Sequence, residues 1–433
     1  MEKRFWLYLE PYTHAVCKLD DVMLYNTLDG RHIIYRHAAT IAAIVRRMLR
    51  ARNMRVILLR AGELKQRVLA GFVADIRKYY MGDVLDADGS NAKPVVMGHG
   101  PKIQKDRRRL ARDEERSPGE AVLEYLTEIS IFLTGRCVQN CAGCRDYCKQ
   151  FLCCSRGRGK EQELALETLD LLCDQLQGSQ VSRMNITGGD IFQYAHLASA
   201  CKALGALGAK IVFYGHYLNW HAAGVKVNQL DRLSPHYIVT VTPPYKQKHL
   251  SAVHKEMRLR NRTVQFEFVV QSVRQVREAQ QTAAALGISA LKLKPFFDGV
   301  NAEFFHRHVF MDEKDIIAAH PTHVDIYANA VLNRLRFGRL FVLADGRVHA
   351  DLNTPPLGSL KEKSLHALLY KEMRNGRNWF RLRRNVKPCR HCLMVDLCPP
   401  LGAYEYALGR NDLCSFQSAD VSGPNRFSGA ARR

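Results

Sequence analysis

The chain has no long hydrophobic run and no secretory signal. No stretch approaches the roughly 18 consecutive apolar residues that a membrane-spanning helix needs. The N-terminal stretch MEKRFWLYLEPYTH has neither an apolar h-region nor a small-residue cleavage site, so we expect a cytoplasmic protein with no membrane partner. In that compartment thiols stay reduced, and clustered cysteines more often bind metal or react than form disulfides.

Acidic residues are scarce, and low-complexity tracts are absent. There are 42 Asp and Glu against 64 Lys and Arg, which gives a net charge of +22. A basic surface attracts polyanions such as nucleic acid or an acidic peptide, but no nucleic-acid-binding motif accompanies this charge. Hydrophobic residues make up 47% of the 433 residues, which excludes general disorder and allows two or three domains with full cores.

Residues 1–100 are predicted to form an N-terminal α+β module. Four β-rich runs, RFWLYL, HAVCKL, VMLYN and RHIIY, precede the helical pattern IAAIVRRMLRA. A second helix is predicted over GFVADIRKYYMGDVL. Residues 101–125 are rich in basic residues and are predicted to be a linker.

Residues 126–300 show a regular β–α alternation. Six β-rich runs, TEISIFL, RMNIT, KIVFYG, YIVTV, VQFEFVV and ALKLKPF, are separated by helical patterns. This alternation predicts an α/β fold with parallel strands, and its length fits a partial (β/α)6 barrel with functional loops at the carboxyl ends of the strands. A helical connection over 301–340, a cysteine-rich region over 341–420 and a flexible tail over 421–433 complete the predicted order.

Most of the thirteen cysteines form two groups, of which the first begins with the spacing C-x3-C-x2-C at Cys137, Cys141 and Cys144. Three thiolates cannot complete a tetrahedral structural zinc site. They can hold three irons of a [4Fe–4S] cluster and leave the fourth iron open.

Three isolated cysteines are predicted to be small buried hydrophobes: Cys17, Cys173 and Cys201.

This spacing, placed directly after the first strand of a β–α series, resembles the radical S-adenosylmethionine (radical SAM) superfamily. The resemblance implies a [4Fe–4S] cluster on Cys137, Cys141 and Cys144, with SAM chelating the open iron. It implies reductive cleavage of SAM to a 5′-deoxyadenosyl radical that abstracts hydrogen from a substrate. An electron donor of the flavodoxin or ferredoxin type is an implied partner.

The turn NITGGD, at the end of the second β-rich run, resembles the Gly-Gly-Glu element of that superfamily. The resemblance implies that Gly188, Gly189 and Asp190 bind the SAM amino group; a strand-to-helix turn with an aspartate cap is the alternative. The chain differs from the common pattern at Asp190 and at Gly143, where many members have an aromatic residue. Polar residues at later strand ends are candidates for contacts with SAM or substrate: Thr240, Thr242, Gln271, Lys292 and Lys294.

The second cysteine group has the spacing C-x2-C-x5-C-x15-C: Cys389, Cys392, Cys398 and Cys414. It resembles the SPASM and twitch extensions that hold auxiliary iron–sulfur clusters in radical SAM peptide-modifying enzymes. A usual SPASM cysteine is absent near Asp351 or Asn353, so the resemblance implies one auxiliary [4Fe–4S] cluster rather than two. Structural zinc is the alternative, because four thiolates also satisfy tetrahedral zinc.

Further segments resemble a narrower group, the Bacteroidales double-glycine-leader radical SAM and pseudo-radical-SAM peptide maturases. These segments are LYLEPY, LYNTLDG, CRDYCKQFLCC, PFFDGVNAEFF and CPPLGAYEYALGRNDLC. The resemblance implies a ribosomally synthesised precursor peptide as substrate, a leader bound within residues 5–80, and a crosslink or an inverted stereocentre as product. Cys153 and Cys154 are candidate catalytic thiols, with simple packing as the alternative. RNA modification and a non-catalytic peptide scaffold for a partner maturase are the alternative functions.

Overall fold

The computed structural model describes residues 2–88, 92–96, 120–157, 162–376, 378–411 and 413–414. The predicted linker lies largely outside these residues, and the predicted tail lies wholly outside them. Within the described ranges, no helix has the length and apolar content that crossing a bilayer requires.

Residues 2–88 form two three-stranded antiparallel sheets. In the first sheet β1 lies between β5 and β6, and in the second β3 lies between β2 and β4. The strands are β1 (Arg4–Leu9), β2 (Thr13–Lys18), β3 (Asp21–Asn26), β4 (His32–Tyr35), β5 (Val56–Arg60) and β6 (Gly82–Asp86). The helices are Ala39–Met48, Ala61–Leu64 and Arg67–Lys78. The four predicted strands and the first predicted helix are confirmed.

The prediction of one helix over GFVADIRKYYMGDVL was wrong in its last part. The helix ends at Lys78, and the chain continues as β6, which pairs with β1. A Cβ atom at Gly82 would lie 2.3 Å from the Tyr8 carbonyl oxygen, so the strand approaches β1 more closely than another residue type would allow. The pairing of β6 with β1 is a tertiary contact, which the local apolar periodicity does not predict.

The remainder of the chain is built on one nine-stranded sheet with the order β12-β11-β10-β9-β8-β7-β13-β14-β15. Its strands are β7 (Glu128–Phe132), β8 (Arg183–Thr187), β9 (Lys210–His216), β10 (His236–Val241), β11 (Thr263–Val270), β12 (Leu291–Pro295), β13 (Arg339–Val342), β14 (Arg347–His349) and β15 (Gly358–Ser359). Strands β7 to β12 are parallel and pair in chain order. The predicted α/β fold with a parallel sheet is therefore confirmed.

Helices follow most of these strands, and they bury one face of the sheet. On β11, Phe266 and Phe268 belong to the large apolar core that the helices cover, whereas Val269 belongs to a separate cluster on the opposite face. The helices are Glu120–Leu123, Cys144–Gln150, Leu166–Leu176, Leu197–Gly205, Tyr217–Ala223, Gln247–Leu259, Val273–Ala285, Ala302–His308, Glu313–Ala318, His323–Val331, Leu365–Asn375 and Ala403–Leu408.

Strands β13 and β14 form a hairpin whose turn contains Asp345 and Gly346. Gly346 has a φ of +83°, a left-handed conformation that suits glycine in a tight turn. Strand β13 also pairs in parallel with β7 on its other side. The predicted boundary between 340 and 341 falls inside β13, so the C-terminal region continues the main sheet.

The N-terminal module packs against the C-terminal cysteine-rich region. Val16 and Met23 share an apolar cluster with Leu393 and Leu397, and Cys392 and Cys398 pack against this cluster. A polar contact lies beside it, where buried Asp396 meets His14 of β2 and the neighbouring Arg384. Burial opposes the ionisation of Asp396, but hydrogen bonds from Arg384 and His14 outweigh it and hold the pKa of this carboxyl well below its usual value.

Candidate functional site

The first cysteine group follows the carboxyl end of β7 and continues into the helix Cys144–Gln150. Cys137, Cys141 and Cys144 line one cleft, together with Cys154. The far wall of the cleft comes from the ends of the next three strands: Gly189, His216, Thr240 and Thr242. The parallel order of the sheet brings these side chains together, because the carboxyl ends of parallel strands share one edge.

The glycine turn after β8 seats the cysteine loop by direct backbone contact. Gly189 N donates to Thr134 O at 2.7 Å, and Asp190 N donates to Arg136 O at 2.7 Å. A Cβ atom would lie 2.5 Å from Thr134 O at Gly188 and 2.3 Å from Arg136 O at Gly189. Both positions therefore require glycine for the packing seen here, and Gly189 also lines the cleft.

Asp190 caps the short 3-10 helix Ile191–Gln193. Its carboxylate accepts hydrogen bonds from Phe192 N at 3.2 Å and from Gln193 Nε2 at 2.9 Å. Asp190 therefore acts as a helix cap, as the alternative interpretation predicted. It directly follows Gly189, which lines the cleft.

Three polar side chains that sequence reasoning missed support the cysteine loop. Arg156 donates to the Gln139 carbonyl at 2.6 Å and also to the Cys137 carbonyl. Ser155 Oγ donates to Cys144 O at 2.8 Å, and Asn219 Nδ2 donates to Cys137 Sγ at 3.5 Å. These residues belong to no recognisable spacing pattern, because only the folded chain brings them to the cysteines.

His216, at the end of β9, was also missed. Leu218 N donates to its Nδ1 at 3.4 Å, so the proton of the neutral ring lies on Nε2, which donates to Thr242 Oγ1 at 2.9 Å. Burial, with Lys246 as the second cause, lowers the pKa of His216 to about 4. The ring is therefore neutral at pH 7 and holds the Thr242 hydroxyl at the cleft wall.

The Cys141 thiol is a poor anion without a bound cation. Burial, followed by the neighbouring Cys144, raises the pKa of Cys141 to about 11. A metal centre deprotonates its cysteine ligands outright and removes this penalty. The cleft therefore suits a positively charged metal core better than free thiolates.

The two candidate catalytic thiols have different surroundings. Cys153 is fully buried, packs with Phe151, Val269 and Phe296, and does not line the cleft. Cys154 lines the cleft, and burial followed by Cys141 raises its pKa well above the usual value. The packing alternative thus describes the contacts of Cys153, whereas Cys154 lines the same cleft as Cys137, Cys141 and Cys144.

Only two of the five strand-end candidates reach the cleft, namely Thr240 and Thr242. Gln271 bonds Asp298 at 3.1 Å and lines a separate groove. Lys294 pairs with Glu267 at 3.2 Å within the sheet face, and Lys292 is exposed. A position at the end of a strand therefore does not by itself predict which of these side chains line the cleft.

Gly143 leaves room for an aromatic ring from another element. A Cβ atom there would lie 2.7 Å from the Phe296 ring, which follows β12. Phe296 in turn meets Tyr147 edge-on, with ring centroids 4.6 Å apart. The departure from the common pattern at Gly143 therefore accompanies an aromatic ring that packs beside the third cysteine.

The residues of the cleft fit a polar cofactor. Thr240 lines the cleft and hydrogen-bonds the Cys154 thiol. Asn219, which bonds Cys137, has a buried Oδ1 without a hydrogen-bond partner, which is unfavourable unless a ligand satisfies it. In the part of the chain that the structure describes, no three His, Cys, Asp or Glu side chains are arranged around a single metal ion. Cysteines on a four-iron cluster each bind a different iron, so they lie farther apart than the ligands of one ion.

The second cysteine group is a cluster of buried and half-buried thiols with an adjacent cation. Burial raises the pKa of Cys398 to about 12; Arg383 lowers it, and the thiols of the other three cysteines raise it again. Cys414 forms a parallel β-bridge with Met311, which brings the last cysteine back to the group. The prediction that isolated cysteines are buried hydrophobes is confirmed for Cys173 and Cys201, whereas Cys17 is only half-buried.

No protein-family model and no curated protein sequence matches the chain. Among solved structures, the chain is similar to SuiB of Streptococcus suis bound to its precursor peptide SuiA, with 12% identity, a TM-score of 0.47, and coverage of 95% of this chain and 99% of that one. SuiB bound to S-adenosylmethionine gives 11% identity, a TM-score of 0.38 and coverage of 95% and 99%. Native anSMEcpe with bound AdoMet gives 11% identity, a TM-score of 0.42 and coverage of 65% and 96%. At these identities and TM-scores the likeness carries no argument about residues or activity, which rest on the site itself.

Proposed function

We propose that this protein is a radical SAM enzyme that modifies a ribosomally synthesised precursor peptide. The observation that carries the proposal is the convergence of Cys137, Cys141 and Cys144 with the glycine turn of the neighbouring parallel strand. When bound, a [4Fe–4S] cluster with SAM on its open iron supplies the electron that cleaves SAM to a 5′-deoxyadenosyl radical. The parallel strands β7 to β12 would form the partial (β/α)6 barrel around this chemistry.

The chain's own residues would bind and orient the cofactor. The three thiolates would hold the cluster, and Gly189 lies beside them in the cleft, where the SAM amino group would bind. The buried Thr240 hydroxyl, which lines the cleft beside Cys154, is suited to bond a polar group of SAM. His216 fixes the Thr242 hydroxyl for the same wall.

The peptide would be recognised in the N-terminal module. Strand β4 is at the edge of its sheet and is half-buried, so an extended leader could add to it as a further strand. The net positive charge of the chain suits an acidic leader. The modification would be a crosslink or an epimerisation, with an electron donor of the flavodoxin or ferredoxin type and one auxiliary [4Fe–4S] cluster on the C-terminal cysteines.

The test is made on protein purified and reconstituted with iron and sulfide without oxygen. SAM and dithionite are added, and 5′-deoxyadenosine is measured by mass spectrometry with and without candidate precursor peptides. We expect 5′-deoxyadenosine that depends on dithionite, and a mass change in a peptide that is a substrate. Failure to form it when iron and SAM are both bound and peptides are present would contradict the proposed activity.

A further inference from the structure

A buried ion pair lies against the second cysteine group. The side chains of Arg383 and Glu405 are 9% and 7% exposed, and they form a salt bridge. Arg383 Nη1 also lies 3.5 Å from Cys389 Sγ and donates to Asn411 O at 2.9 Å. The guanidinium therefore lies between the carboxylate and the thiols, with N–H groups directed at both.

The Arg383 guanidinium places a positive charge beside a cysteine sulfur that would carry negative charge as a cluster ligand. Burying an arginine is expensive unless it is paired and hydrogen-bonded, and Glu405, Asn411 and the Pro399 carbonyl provide those partners. The remaining contact, to Cys389, is therefore not needed to neutralise the guanidinium. A cation in contact with sulfur instead stabilises negative charge on that sulfur.

The two cysteine groups differ in the charge of the side chains that donate hydrogen bonds to their sulfurs. At the first group, two neutral side chains bond sulfurs: the amide of Asn219 lies 3.5 Å from Cys137 Sγ, and the Thr242 hydroxyl bonds Cys141. The nearby guanidinium of Arg156 donates to carbonyl oxygens of the loop. At the second group the donor to Cys389 is charged, and charge-assisted hydrogen bonds are the stronger kind.

We propose that Arg383 raises the reduction potential of an iron–sulfur cluster at the four C-terminal cysteines, and that Glu405 moderates this effect. The inference rests on the proposed function in that it takes the group bound there to be iron–sulfur. On reduction the oxidised cluster accepts a single electron from dithionite, its net charge becomes one unit more negative, and no bond forms or breaks. A buried cation stabilises the more negative state, whereas its carboxylate partner opposes this stabilisation.

The two charges give opposite expectations. Arg383→Gln removes the cation and shifts the midpoint potential to lower values. Glu405→Gln removes the opposing anion and shifts it to higher values, while the amide oxygen can still accept the bond from Gly402 N. Arg383→Lys keeps the charge and is expected to stay closer to the parent than Arg383→Gln. General loosening of the structure would not produce shifts of opposite sign.

The measurement is a redox titration followed by electron paramagnetic resonance. It uses the full-length chain in which Cys137, Cys141 and Cys144 are replaced by alanine, so that only the second group can carry a cluster. Arg384→Gln is the matched control, because it removes the same charge one residue along, from a guanidinium that pairs with Asp396 rather than with a described cysteine.

Each outcome decides the inference. If Arg383→Gln fails to take up iron, Glu405→Gln and Arg383→Lys carry the test. Unchanged potentials in the Arg383 and Glu405 variants, or an equal shift in Arg384→Gln, would overturn it, and so would zinc in place of iron at this group. None of these results bears on 5′-deoxyadenosine formation by the parent protein, so the proposed function and this inference can fail separately.

Discussion

Cys141→Ala is expected to reduce 5′-deoxyadenosine formation to the background of a reaction without dithionite. Cys141 lies near both other thiols of the first group, which its raised pKa reflects after burial. Without it, two protein ligands remain for a cluster that must keep one iron open for SAM. The measurement is mass spectrometry of anaerobic reactions, with iron content determined on the same samples.

Cys173→Ala is the matched control for this variant. Cys173 is a buried thiol in the helix Leu166–Leu176, and it packs into the apolar core away from the cleft. We expect it to keep iron and activity, with a loss of about 1 kcal/mol in the free energy of unfolding from the small cavity left. Retained 5′-deoxyadenosine formation in Cys141→Ala would show that the ligand assignment is incorrect.

Gly189→Ala is expected to disrupt the first site by a different route. The added methyl group would lie 2.3 Å from Arg136 O, a backbone atom that cannot rotate away. We expect the cysteine loop to shift, the iron content of the first group to fall, and 5′-deoxyadenosine formation to drop by more than about tenfold. The overpacking would also destabilise the protein by about 1–3 kcal/mol.

Gly71→Ala makes the same chemical change where space is free. Gly71 lies inside the helix Arg67–Lys78, and a Cβ atom there meets nothing within 4 Å. We expect full iron content and a gain of about 0.4–1 kcal/mol in the free energy of unfolding, because alanine restricts the unfolded chain. Full iron content and activity in Gly189→Ala would contradict the packing argument.

The sequence predicted the main sheet well because its strands are short β-rich runs separated by helical patterns. Each of the six runs from TEISIFL to ALKLKPF is a strand, and their alternation with helices predicts parallel pairing. The last part of the second N-terminal helix was wrong, and β5 was missed. Both errors concern strands that pair with β1, a long-range contact that local periodicity does not encode.

The cysteines of the site were predictable because their spacing is local, whereas the supporting residues were not. Asn219 and Arg156 contact the cysteine loop and His216 lines the cleft, and only the folded chain brings these residues to the cysteines. Gln271 and Lys294 illustrate the reverse error, since both follow or lie on strands yet make other contacts. Burial and partners, which decide such roles, are properties of the folded chain.

The most direct test of an open iron at Cys137, Cys141 and Cys144 is electron paramagnetic resonance of the dithionite-reduced protein before and after addition of SAM. Direct binding of SAM to an iron changes that iron's ligands and therefore its signal. We predict that SAM alters the signal of one cluster, and that Cys137→Ala removes this SAM-sensitive signal while the other remains. A fully iron-loaded protein whose signals are unaffected by bound SAM would contradict the proposed radical SAM site.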